Sequence, residues 1–211
     1  MREIAKMTGA RPVRRRTPRA TFLLALLACT PLTAAPTVLN FDDLPSGYLL
    51  TLQGYAGLNW EEGILGDEGS RGLWYAGGRY PSSPPRNVVN TGGSTLMGIG
   101  FPSPVDFEGA YFAEQGNLGA TSVRVLGYQG VQFVAMTDWT PTLSATPVWL
   151  DMTALYNVNR ILVQSLPVNA AQTSGPYGMD DLTFTYVPEP AGVTLGLLAL
   201  GGLLLWRRRS R

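Results

Sequence analysis

The chain has 211 residues, with 16 basic and 15 acidic side chains, one cysteine and no histidine. The lack of histidine excludes Ser–His–Asp and Cys–His catalysis and removes the commonest transition-metal ligand. Seven basic residues fall in 1–35 and four in 207–211, so 36–186 holds five arginines (Arg71, Arg79, Arg86, Arg124, Arg160) against 13 carboxylates, a net charge near −8 that argues against nucleic acid.

Residues 1–35 read as a secretory signal peptide. Arg11, Arg14, Arg15, Arg16 and Arg19 form a basic region, Ala20 to Ala28 a short apolar core, and Thr33-Ala34-Ala35 a run of small residues suited to cleavage. Cys29 lies inside this signal, so the exported domain has no disulfide and depends on its core.

The next 150 or so residues, 36–186, are enough for one domain with its own core. No long stretch shows helical periodicity. Short β-branched or alternating runs recur between turn residues. Strands are predicted over 37–41, 54–60 and 95–101, over 105–112 after Pro102 and Pro104, and over 146–150, 160–166 and 180–187. Ser122 to Thr137 predicts a β-hairpin turning over Gly127–Gly130, with Val123, Val125, Val131 and Phe133 at period two. Residues 67–71 and 81–86 read as loops, and 151–156 as a short helix. Eight to ten short strands imply an all-β fold, an antiparallel β-sandwich of jelly-roll type.

Two carboxylate pairs mark the ends of this domain, Asp42-Asp43 and Asp180-Asp181. If the first and last strands are neighbours, the pairs approach each other, and converging carboxylates repel unless a hard cation neutralises them. A structural Ca²⁺ site is the functional expectation. The alternative is that Asp42 and Asp181 cap turns through their own backbones.

Exposed aromatic faces stack on sugar rings, with nearby polar groups bonding hydroxyls. Trp74 and Tyr75, in a Gly-rich segment, and Trp139, after the hairpin, are the candidates for glycan stacking; Trp60 and Trp149 read as core. Glu61-Glu62, Asp67-Glu68, Glu108 and Glu114 could in principle supply a glycosidase pair. Adjacent carboxylates in a strand point to opposite faces, so a non-catalytic role is expected.

Residues 187–211 close the chain with Val-Pro-Glu-Pro, a 16-residue apolar run from Ala191 to Trp206, and Arg207, Arg208, Arg209 and Arg211. As a helix this run is about 24 Å long, short for a hydrocarbon core of about 30 Å. The arginines mark its cytoplasmic end. The run predicts a single transmembrane helix, after an N-terminal signal helix and the β domain.

Motif, span and basic tail at the very terminus resemble the PEP-CTERM sorting signal of Gram-negative, exopolysaccharide-producing bacteria. The resemblance implies that Pro188, Glu189 and Pro190 are recognised by a membrane transpeptidase-like sorting enzyme, exosortase. It also implies an inner-membrane-anchored precursor that ends at the cell surface or in the extracellular matrix. Phe41-Asp42-Asp43-Leu44, Gly54-Tyr55-Ala56-Gly57-Leu58-Asn59-Trp60 and Gly178-Met179-Asp180-Asp181-Leu182 are similar to the extracellular domains of many such proteins. More distantly they resemble galactose-binding-like jelly rolls and carbohydrate-binding modules. That implies no catalysis, an association with exopolysaccharide through weak glycan binding, and a calcium between terminal strands. A structural or adhesive protein without a small ligand, and a glycoside-active enzyme, are the alternatives.

Overall fold

The computed structural model describes residues 34–61, 73–90, 95–115, 119–167 and 175–188. The expected signal helix, the transmembrane run and all of the sorting signal except Val187 and Pro188 lie outside these residues. The chain divides after Thr33, and every described residue belongs to the second unit. Among the described residues no helix is long and apolar enough to cross a membrane.

The described chain is all-β. Its strands are β1 (Thr37–Leu39), β2 (Asn59–Trp60), β3 (Trp74–Ala76), β4 (Val88–Asn90), β5 (Leu96–Glu114), β6 (Ala120–Gln129), β7 (Gln132–Met136), β8 (Val148–Asp151), β9 (Val158–Pro167) and β10 (Tyr177–Tyr186). One helical turn, α1 (Leu50–Gln53), precedes β2. All strand pairs are antiparallel. The ladder runs β3-β4-β10-β5-β9-β6-β7, with β1 on β10 and with β2 and β8 on β5.

The 19-residue β5 makes this a sandwich. Its first half, Leu96–Gly100, pairs with β9 and β2; its second half, Val105–Glu114, pairs with β10 and β8. Two strands were expected here. Pro102 and Pro104 carry no backbone N–H, so the β9 register breaks between Gly100 and Val105, and the strand passes from one layer to the other. Side chains of both halves fill the space between the layers: Met97, Ile99, Val125, Ile161 and Val163 from one, Val105, Phe112, Met179 and Leu182 from the other, all fully buried. Each such burial contributes roughly 1.5–3 kcal/mol. Phe101 and Phe184 join the layers edge to face at 5.0 Å.

The hairpin forms, but its turn is Gly130-Val131, closed by the Gln129–Gln132 pair, three residues beyond the start of the expected turn. Gly130 supplies the left-handed backbone there, with φ of 60°. Val131 is therefore fully exposed instead of lying on an inward face. The short helix expected over 151–156 is absent; Asp151 ends β8, and a Met152–Leu155 backbone bond closes a turn.

Candidate functional site

β6, β9 and the first half of β5 each alternate between core and solvent. Inward go Val123, Val125, Ile161, Val163, Met97 and Ile99. The other face is set by register, because directly opposed residues share a side of the sheet. Leu96, Gln164 and Arg124 form one row; Gly98, Leu162, Leu126 and Met136 the next; Gly100, Arg160, Tyr128 and Phe133 the third.

The outer rows carry the same device twice. In the third row the Arg160 guanidinium lies 5.9 Å from the Tyr128 ring centre, and Arg160 Nε donates to Glu61 Oε1 at 2.8 Å and Oε2 at 2.9 Å. Those bonds raise the Arg160 pKa further. Glu61 follows β2, and its N–H continues the ladder to the Gly98 carbonyl at 3.0 Å. A Cβ on Gly98 would stand 2.2 Å from Glu61 Oε2, so a larger residue here would have to displace the Glu61 carboxylate from Arg160. Phe133 meets Tyr128 edge to face at 5.8 Å and is 49% exposed. In the first row the Arg124 guanidinium lies 4.6 Å from the Trp139 ring centre, and Arg124 Nε donates to Gln164 Oε1 at 2.8 Å. The face thus combines partly exposed rings with fixed charged and amide groups.

Of the expected stacking residues, Trp139 stands half-buried on this face. Trp74 does not. It is fully buried, edge to face against Trp60 at 5.7 Å and Tyr177 at 5.9 Å, with Nε1–H bonded to the Gly98 carbonyl at 3.2 Å. Its Gly-rich surroundings suggested a loop, yet β3 pairs with β4 and turns Trp74 and Ala76 inward. Tyr75 pairs with Val89 through its backbone, and its side chain lies outside the described set. Trp60 is core, as expected. Trp149, also expected in the core, is 42% exposed and packs edge to face on Tyr111 at 5.1 Å. The four-residue β8 turns Leu150 inward and therefore Trp149 outward.

The terminal strands are neighbours: Leu39 pairs with Leu182. The carboxylates of the two Asp pairs nevertheless take separate partners. Asp42 Oδ1 accepts the Arg86 N–H at 3.2 Å, and Asp43 Oδ1 accepts the Tyr55 hydroxyl at 2.8 Å. Asp180 and Asp181 face the 81–86 loop. Ser82 Oγ reaches Asp180 Oδ2 at 3.0 Å and Asp181 Oδ2 at 2.8 Å; Ser83 Oγ reaches Asp181 Oδ1 at 2.9 Å, and Ser83 N–H donates to Asp180 Oδ2 at 2.9 Å. An irregular register follows Asp180, and Asp181 has a positive φ of 50°. This bulge lets adjacent carboxylates reach one loop, which regular alternation forbids. Burial, then the charge of Asp181, pushes Asp180 up to about 6. Among the described residues no three acidic, His or Cys side chains gather as a metal cluster. The two Asp pairs supply oxygen donors, the set a hard cation takes.

Glu61 is ion-paired with Arg160, and Glu62, Asp67 and Glu68 lie outside the described residues. Of the sorting residues only Pro188 is described, and it is exposed. Sequence reading missed Arg124, Tyr128, Gln164 and Arg160 as a group. Their shared alternation over 124–128 and 160–164 was the available signal, but which strands pair was not.

No family model matches the chain, and no curated protein does. Among solved structures, the chain is similar to a family 29 carbohydrate-binding module from Piromyces equi, with 13% identity over 73% of this chain and 91% of that one and a TM-score of 0.41. A CBM51 from Clostridium perfringens GH95, solved with methyl-galactose, matches at 13% identity over 71% and 100%, with a TM-score of 0.34. The CBM51-2 and INT domains of Clostridium perfringens ZmpB match at 12% identity over 72% of this chain and 32% of theirs, with a TM-score of 0.33.

Proposed function

We propose that residues 36–186 are a non-catalytic glycan-binding domain of an exported surface or matrix protein, sorted through its PEP-CTERM signal and associated with exopolysaccharide. The observation that carries the binding part is the solvent face of β5, β9, β6 and β7. Trp139, Tyr128 and Phe133 offer ring surface at both ends of the face, beside guanidinium, carboxylate and amide groups held by one another. Rings take up the C–H faces of a sugar, and fixed polar groups bond its hydroxyls. Rows four residues apart along β6 stand about 13 Å from each other, a span for an oligosaccharide stretch more than a single ring.

The test is retention of the purified full-length chain on the host's own exopolysaccharide, with Ca²⁺ and with a chelator. Wild type should be retained, and a Trp139→Ala, Tyr128→Ala double variant should bind at least about tenfold more weakly with an unchanged melt, a loss of about 1.4 kcal/mol. No retention of wild type, or equal retention of the variant, sinks the reading. Calcium-dependent retention would bring Asp42, Asp43, Asp180 and Asp181 into it as metal ligands; metal-independent retention would leave them structural. A second reading, an adhesive module without a small ligand, is favoured by the edge strand β7 and its turn, where Val131, Phe133, Val134 and Met136 are all exposed. Concentration-dependent self-association lost in Val134→Lys would support it.

A further inference from the structure

We propose that this face selects acidic polysaccharides, with the Arg124 guanidinium pairing to a ring-borne oxyanion, a uronate carboxylate or a sulfate ester. The inference rests on the glycan-binding reading above and specifies the ligand.

The argument comes from comparing the two rows. Each places an arginine of a central strand against an aromatic ring, at 4.6 Å for Arg124 on Trp139 and 5.9 Å for Arg160 on Tyr128. In the Arg160 row a carboxylate closes the arrangement: Glu61 accepts from Nε and from Nη2. In the Arg124 row the Nε partner is instead the neutral amide of Gln164. Among the described residues no carboxylate pairs with Arg124. One of five guanidinium N–H donors is used by Gln164, and the Nη donors remain for a partner.

The neighbouring charges sharpen the case. Asp138, next to Trp139, is exposed and makes no ion pair with Arg124. Leu126, Leu162 and Met136 separate Arg124 from the neutralised Glu61–Arg160 pair. An arginine stacked on a ring and tethered by its Nε has already lost much of its rotamer freedom, so less is lost when it forks a ligand oxyanion. A ligand carboxylate on Arg124 would take the Nη donors, since Gln164 holds Nε, whereas Glu61 takes Nε and Nη2 of Arg160. The domain as a whole is near −8, which repels acidic polymers. Any acid preference therefore has to be local, and removing Arg124 should reverse its sign.

The experiment uses the immobilised full-length chain and paired polymers: polygalacturonate against its fully methyl-esterified form, and dextran sulfate against dextran. Wild type should bind at least one acidic member about tenfold more tightly than its neutral mate; the pair that shows it distinguishes uronate from sulfate. Arg124→Gln should bind that acidic member no better than the neutral one, the ratio between the two being the readout whatever the variant loses on both. Arg124→Lys should fall between, keeping the charge without the fork. Equal or weaker binding of both acidic members by wild type, or an unchanged preference in Arg124→Gln, overturns the proposal. Binding of neutral polymers alone overturns it and leaves the glycan-binding reading standing. Binding of no polymer and no host exopolysaccharide overturns both. Should Arg124→Gln lose its cooperative melt, Arg124→Met is read instead: it keeps an apolar stem over Trp139 while removing the charge, and an unchanged acid preference there also overturns the proposal.

Discussion

Asp180 is the residue where chemistry and fold meet most directly. It is buried at 2% exposure, beside a second carboxylate, beneath two serines. Ser82 and Ser83 own one hydroxyl proton each, yet their oxygens make four contacts with the two carboxylates. A proton on Asp180 supplies a missing donor, in keeping with a pKa raised from 3.8 to about 6 by burial and by Asp181. The native state then binds this proton more tightly than the unfolded chain. Its contribution is complete below 3.8, shrinks as pH rises, and is gone above about 6. Two units correspond to at most about 3 kcal/mol. Asp151 works in the opposite direction, its carboxylate held below 3.8 by the Thr153 N–H, and so acts at lower pH. We expect the wild-type melting temperature, measured with chelator, to rise by several degrees from pH 7 to pH 4.5. Asp180→Asn, which fixes the neutral form, should be level over that window. A parallel rise in both proteins would remove Asp180 as the cause.

At the scale of elements, Trp74 ties three strands. Its ring lies between Trp60 of β2 and Tyr177 of β10, and its indole N–H bonds a carbonyl of β5. Trp74→Ala should cost about 3–5 kcal/mol by leaving a cavity. That is a large share of the roughly 5–15 kcal/mol available to a domain. A urea melt will show a much lower midpoint, and any loss of glycan retention will follow the unfolded fraction. A change below about 1 kcal/mol would mean the ring is not the tie described here. Most strands were legible from β-branched alternation and turn residues. Trp74, Trp149 and the 151–156 segment were not. A strand of three or four residues is too short for its pattern to say which side faces the core; that side is chosen by the partner strand. Likewise β5 read as two strands, because the prolines that break its pattern do not break its path. Of the face proposed above, the sequence singled out only Trp139, since Arg124 with Gln164 and Arg160 with Glu61 are contacts across 40 and 99 residues.

For the whole molecule, the proposed sorting signal gives the ends of the chain the task of placing the domain. The sorting reading requires that the Pro-Glu-Pro run be recognised while the apolar run sits in the membrane. Glu189 is the one charge in that motif, and neither neighbouring proline offers an N–H to pair with it. Glu189→Gln should accumulate as an unprocessed membrane form in cell fractions, with the β domain folded as in wild type. Normal processing of this variant would count against the sorting signal.

Composition and order along the chain determined much of this protein by themselves. An acidic, His-free, Lys-free β domain between two apolar segments excludes histidine-dependent catalysis and argues against nucleic acid, because those conclusions depend on which residues exist. The alternation of short runs was enough for an all-β class, because burial of one sheet face imposes period two on any strand. Tertiary structure alone decided which rings face solvent, which aspartates share a loop, and that among the described residues no carboxylate pairs with Arg124. Those properties depend on strand pairing and register, and a shift of one residue would exchange the core for the solvent face.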